Sequence, residues 1–267
     1  MSMSVRDLEA LIHRAFRDHR ESVTLDHVPS DDGRRAVSRR VRWHCAGKCA
    51  KPVPVELFAR GGQSVVGSVH KNYEVTLYTK CRKCEPCMLS RRIEWTERAV
   101  REAAASSRTW LGTLTLTPDN HYRAVARARE RFSGFDALSK EHRFSALAGY
   151  MGDYVTLWLK RVRENSGAPL RYLAVAEPHT DKLDGFPHYH LLVHEQNYFM
   201  PGRQKVMTTA WSWGFSSFSL LDDPTKAAYP CKYLMKDAST RVRASFRYGM
   251  SHNDIDASQK HSVGNDA

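Results

Sequence analysis

The stretch Pro187-His188-Tyr189-His190-Leu191-Leu192-Val193 decides how this chain is read. Two histidines stand two residues apart at the head of an apolar run, and a strand's period of two points both imidazoles to one face. Paired neutral imidazoles beside a carboxylate form an open site for a divalent cation rather than a closed structural one. The preceding apolar segment, Leu170 to Glu177, pairs with Pro187 to Glu195 as a hairpin across a loop containing Asp184-Gly185. Glu177 closes that segment and is the expected third ligand beside His188 and His190.

Farther along comes Tyr229-Pro230-Cys231-Lys232-Tyr233-Leu234-Met235-Lys236. A phenol is weakly acidic, with an unperturbed pKa of about 10. It attacks a phosphodiester usefully only where one cation polarises the phosphate and another helps with charge. Each tyrosine is followed three residues later by a lysine, and a lysine beside a buried aromatic stripe has no packing reason to recur. Pro230 disturbs the backbone beside Tyr229, either kinking a helix or leaving Tyr229 at its cap, whereas Tyr233 keeps a regular helical setting. Tyr233 is therefore the expected principal nucleophile and Tyr229 the second, assisted by Lys236 and Lys232.

With 41 Lys+Arg against 29 Asp+Glu, the net charge of +12 suits a polyanionic partner. At 267 residues the chain can bury one substantial core, with room for a small appended module. No apolar run of bilayer length and no signal-peptide pattern is evident, which sets the expectation of a cytoplasmic protein without a membrane partner. In that compartment the six cysteines are expected to be thiols or metal ligands. Five fall into two groups, Cys45/Cys49 and Cys81/Cys84/Cys87. The Cys-x-x-Cys-x-x-Cys run plus Cys45, Cys49 or His44 can supply the four ligands of a structural Zn2+, and the alternative is a set of small buried thiols. Cys231 reads as a packing residue.

Residues 4–20 carry apolar side chains at helical spacing. The basic run that follows Asp31-Asp32-Gly33 includes Arg39 and Arg40, and is either a phosphate-contacting arm or a solvated linker. Tyr73 to Thr79 alternates as a strand does. Met88 to Ser107 reads as a helix with Arg91 and Arg92 available to DNA, Trp110 to Thr117 as a strand, and Phe144 to Val162 as the clearest amphipathic helix, ended by Gly167-Ala168-Pro169. Strands separated by long helices indicate an α+β fold: a central antiparallel sheet with helices on one face, and a small N-terminal cysteine-containing extension. The expected divisions are 1–87 for that extension, 88–248 for the main domain and 249–267 for a disordered polar tail.

This set of motifs resembles the HUH endonucleases, most closely the two-tyrosine replication initiators of microvirus-like single-stranded DNA phages. Phe186-Pro-His-Tyr-His-Leu-Leu-Val is similar to the family's metal strand, Trp110-Leu-Gly-Thr-Leu-Thr-Leu-Thr-Pro-Asp to its first motif, and Ala227-Ala-Tyr-Pro-Cys-Lys-Tyr-Leu-Met-Lys to its tyrosine helix. The cysteine run into Arg91-Arg92-Ile93-Glu94-Trp95 resembles the lead-in to the first long helix. Ala176, Phe186 and Pro230 depart from the family's usual residues. The resemblance implies a ferredoxin/RRM-like sheet, Mg2+ or Mn2+ as the catalytic metal, and single-stranded DNA at a replication origin as substrate. It further implies a 5′-phosphotyrosine intermediate with a 3′-OH left for the host polymerase, and a host helicase as partner. A two-tyrosine HUH transposase and a non-enzymatic, zinc-stabilised DNA-binding protein are the alternatives.

Overall fold

The structure is a computed structural model and describes residues 23–28, 38–56, 73–179, 186–236 and 240–250. The helix expected over 4–20, the side chains of Arg39 and Arg40, the loop at Asp184-Gly185 and the tail from residue 251 lie outside the described residues. Two compact units divide the chain, residues 1–88 and 89–267.

Among the described residues, the first unit is a mixed sheet of β1 (Val23–Val28), β2 (Ser38–His44), β3 (Val53–Glu56) and β4 (Tyr73–Thr79), in the order β1-β2-β4-β3. β2 and β4 are parallel, with His44 opposite Tyr78, so their C-terminal ends emerge side by side. The second unit is built from α1 (Glu85–Ala105), which begins in the first, then β5 (Arg108–Leu114), α2 (Pro118–Arg131), α3 (Lys140–Ser166), β6 (Leu170–Pro178) and β7 (Pro187–Glu195). It continues through α4 (Gln204–Ala210), β8 (Ser216–Leu220), a 3-10 helix (Pro224–Met235) and β9 (Val242–Ala244). Its sheet is antiparallel throughout, in the order β8-β5-β7-β6-β9. The α+β class with a central antiparallel sheet is as expected from sequence.

Period-two alternation gives the sheet two different faces. On one, Trp110, Ala174, Ala176, Tyr189, Leu191, Val193 and Phe218 pack against Phe144, Met151, Val155, Trp158 and Val162 of α3. That helix runs from a Ser139 cap, whose hydroxyl accepts from the His142 N–H, to Gly167 in the left-handed region at φ 65°. Burying each large side chain here contributes roughly 1.5–3 kcal/mol. Gly112 makes one of these contacts possible: a Cβ would collide with the Phe218 ring, which lies 5.4 Å from Trp158 and nearly parallel to it. The helical layer expected on one face is this α3 side. The opposite face is covered too, by Ala99 and Ala103 of α1 and by Ala227, Cys231, Tyr233 and Leu234 of the 3-10 helix, which pack on Leu173, Val175 and Leu192.

Candidate active site

The strand register assembles the site. In the β6/β7 pair Glu177 lies directly opposite His188, and His190 lies opposite Val175 on one side and Thr113 of β5 on the other. Residues opposite one another share a face, so Glu177, His188, His190 and Thr113 all lie on the side covered by the 3-10 helix. Glu177 Oε2 is 3.2 Å from His188 Nε2 and 3.0 Å from His190 Nε2, and the two Nε2 atoms are 3.1 Å apart. Glu177 and His190 are buried, and the site is closed from below by the sheet.

Burial disfavours charge on both imidazoles. It pushes His190 down to about 4, with His188 adding to the effect, and lowers His188 as well, so both rings are neutral near pH 7. Burial alone would raise Glu177, but Lys236 and His190 hold its carboxyl below the usual range. Lys236 Nζ donates to Glu177 Oε1, leaving Oε2 to face the histidines. The Nδ1 of His190 meets Thr113 Oγ1 at 3.4 Å, and when Nδ1 carries the proton, Nε2 presents a bare lone pair toward a carboxylate. Lone pairs converging on one another repel unless a cation lies among them. The donor set of two imidazole nitrogens and one carboxylate oxygen therefore fits a divalent ion with room for further ligands.

The tyrosine segment is not an α-helix. Residues 224–235 form a 3-10 helix started by Asp223, whose carboxylate accepts from the Thr225 N–H at 2.8 Å, and Pro230 lies inside it. Runs of this length are uncommon, and side chains three apart on a 3-10 helix eclipse one another. That repeat puts each lysine over its own tyrosine: Lys232 Nζ lies 3.5 Å from the Tyr229 ring centre, and Lys236 Nζ lies 4.9 Å from that of Tyr233. Tyr233 stacks on His190 at 4.0 Å and is 5% exposed, whereas Tyr229 is 44% exposed. The Tyr233 hydroxyl donates to the Tyr229 oxygen at 3.1 Å. Lys232, then Tyr233, bring the pKa of Tyr229 below the ordinary phenol value, while burial, and then Tyr229, push Tyr233 up. Two tyrosine hydroxyls in contact, one over a His/His/Glu cation site, form a constellation with a specific chemistry.

Residues 109–238 match the family model of the replication-associated protein ORF2/gene II protein. That family comprises rolling-circle replication initiators, and the match is consistent with the HUH superfamily. The matched span contains Glu177, His188, His190, Tyr229, Lys232, Tyr233 and Lys236. No curated protein and no solved structure matches the chain.

Two sequence expectations change in geometry. Lys236, expected beside Tyr233, lies over that ring but spends its ammonium on Glu177. Arg91 donates to the Thr240 carbonyl at 2.8 Å, tying α1 to the segment after the tyrosines, while Arg92 is exposed. Sequence reasoning missed a strip beside the two histidines. Thr113 pairs with Ser217, and one rung farther Thr115 and Phe215 exchange backbone hydrogen bonds of 2.9 and 3.0 Å, so Thr113, Thr115, Phe215 and Ser217 share the face of His190. Phe215 is 70% exposed there. Gly214 lets the chain approach closely, since a Cβ would collide with the Thr115 and Leu116 backbone. Only the folded register reveals this strip; an isolated Gly-Phe dipeptide carries no signal.

The clustered cysteines lie outside the matched span, in the first unit. Cys49, Cys81, Cys84 and Cys87 converge, with every pair of sulfurs within 4.8 Å. Cys45 corrects the expected set of five: it is exposed and outside the cluster, because the turn at Ala46–Gly47 carries Cys49 instead toward Cys81, whose N–H donates to its sulfur at 3.3 Å. Cys231 is buried in the 3-10 helix, as a packing residue would be.

Proposed function

We propose that residues 89–267 form a two-tyrosine HUH endonuclease and strand transferase that nicks single-stranded DNA at a replication origin and starts rolling-circle replication of a microvirus-like phage genome. The observation that carries this reading is the hydrogen-bonded Tyr229/Tyr233 pair standing over Glu177, His188 and His190. When bound there, Mg2+ or Mn2+ polarises the scissile phosphate, and manganese suits imidazole ligands better.

The rest of the work falls to side chains. The Tyr229 oxygen attacks phosphorus; a P–O(tyrosine) bond forms, the P–O3′ bond breaks, the phenolic proton is released and the departing 3′ oxygen gains one. The products are a 5′-phosphotyrosine and a 3′-OH that a host polymerase extends behind a host helicase. Exposure decides the order: Tyr229 reaches incoming DNA, while Tyr233 is covered and supplies a hydrogen bond to its neighbour's oxygen. This reverses the order expected from sequence. Tyr233 serves the second transfer, when the first 5′ end is rejoined. Lys232 holds positive charge over the attacking ring, and Lys236 fixes the Glu177 carboxylate. Phe215 offers an exposed ring on which a base stacks beside the metal site, and Thr113, Thr115 and Ser217 offer hydroxyls along the same track. Arg92, Arg39 and Arg40 add nonspecific phosphate contacts. These partners place the work in a bacterial cytoplasm; among the described residues no helix is long and apolar enough to cross a membrane.

The test is incubation with manganese and a pool of labelled single-stranded oligonucleotides tiling the replicon that encodes the chain. A covalent protein–DNA adduct that requires the metal is expected. DNA binding without any adduct, under every divalent metal tried, would show a binder rather than an enzyme.

A further inference from the structure

We propose that Cys49, Cys81, Cys84 and Cys87 hold a structural zinc ion that does in the first unit what an apolar core does elsewhere. The distances are those of a tetrahedron. Zinc–thiolate bonds of about 2.3 Å set neighbouring sulfurs about 3.8 Å apart, and Cys49 Sγ lies 3.7 Å from Cys84 Sγ while Cys81 Sγ lies 4.0 Å from Cys87 Sγ. A disulfide needs about 2.05 Å, and all four thiols are free.

The backbone is shaped around the sulfurs. Lys83 and Cys84 donate their N–H groups to Cys81 Sγ at 3.4 and 3.3 Å, and Cys81 donates its own to Cys49 Sγ. Arg82 makes that possible by adopting φ 61°, a left-handed conformation costing a non-glycine residue roughly 1–2 kcal/mol. N–H donors stabilise the thiolate, which is the form a metal binds. Parallel pairing supplies the long-range part: β2 and β4 end side by side, so the turn after one and the loop after the other meet with α1's first turn.

Packing does not account for the cluster. Of its members only Cys87 is buried, and among the first-unit residues with described side chains Ala46 is the only other buried one. A small sheet with so little apolar interior needs a staple. Four protein sulfurs leave no coordination position for substrate, so the ion is structural, and soft ligands exclude magnesium and manganese in favour of zinc.

Full-length protein purified in reductant without added metal should contain about one zinc per chain by elemental analysis, released with unfolding of the first unit when the thiols are titrated with a mercurial. The Glu177/His188/His190 site could itself take zinc, so two variants separate the sources. His188→Ala/His190→Ala should keep the zinc, and Cys49→Ser/Cys84→Ser should lose roughly nine-tenths of it. Should the cysteine variant not fold, cobalt substitution of the unaltered chain decides: intense tetrahedral d–d bands with thiolate charge transfer are expected. Absence of zinc, iron in its place, zinc that follows the histidines, or a weak octahedral cobalt spectrum would each overturn the proposal.

Discussion

Replacing each tyrosine by phenylalanine separates the two phenols by an amount that the geometry fixes in advance. Tyr233→Phe keeps the ring stacked on His190 and deletes one donor to the Tyr229 oxygen, a hydrogen bond of 3.1 Å. Such a bond contributes about 0.5–1.5 kcal/mol net, so first-strand cleavage should slow by only about 2- to 12-fold. Tyr229→Phe removes the attacking oxygen itself, and the remaining phenol is 5% exposed; the loss should exceed roughly 100-fold. Lys232→Met, which takes away the ammonium lying 3.5 Å from the Tyr229 ring centre, should fall between them at about 2- to 30-fold. The assay is single-turnover adduct formation on a 5′-labelled single-stranded oligonucleotide with manganese, followed by trypsin and mass spectrometry. Cleavage after Lys226, Lys232 and Lys236 separates peptide 227–232, with Tyr229, from 233–236, with Tyr233. A first adduct on 233–236, or a Tyr233→Phe defect as deep as that of Tyr229→Phe, would refute the assigned order.

Removing either metal-site imidazole, by His188→Ala or His190→Ala, should abolish manganese-dependent nicking while single-strand binding measured in EDTA stays within about 3-fold, because phosphate contacts lie elsewhere. Phe215→Ala should weaken oligonucleotide binding by about 5- to 100-fold by anisotropy, with Phe215→Trp restoring it; equal affinities for all three proteins would remove the stacking role. His194 is fully buried between Thr109 and Tyr248, with Glu102 and Arg171 acting on it electrostatically, and burial pushes its imidazole down to about 4. Because that lies below the unfolded value of about 6.5, its contribution to stability is fully present above about pH 6.5 and is lost as the pH falls from there toward the folded value. Stability measured by urea unfolding should drop over that window by on the order of 3 kcal/mol more for the unaltered chain than for His194→Gln, and parallel curves would count against it.

Local pattern made some of this legible. β6, β7 and α3 announce themselves by period, because each buries a continuous row of side chains against the sheet. Glu177 could be placed beside His188 because hairpin register follows from the two apolar runs. What escaped were elements whose identity is decided by neighbours. β8 reads Ser-Ser-Phe-Ser-Leu, with one buried residue, and becomes a strand by pairing with β5; β9 is three residues long. α2 is rich in arginine and buries only His121, Ala124 and Ala128, which is too thin a stripe to stand out. The 3-10 conformation of the tyrosine segment was hidden because a Tyr-x-x-Lys spacing suits an α-helix and a 3-10 helix alike. The choice of Cys49 over Cys45 depends on strands paired across residues far apart in sequence.

The 3-10 winding has a mechanical outcome for the tyrosine pair. On an α-helix, residues four apart are offset by about 40°, so two such phenols would be stacked copies competing for one seat. On a 3-10 helix the offset is about 120°, and the Tyr229 and Tyr233 rings indeed meet at 83°. One phenol forms a wall of the metal site and the other stands at its mouth. A DNA end bonded to the outer oxygen hangs in solvent without displacing the inner ring from His190. The inner hydroxyl thereby keeps its station while the first strand is still attached, so one small helix can moor two DNA ends without either being let go.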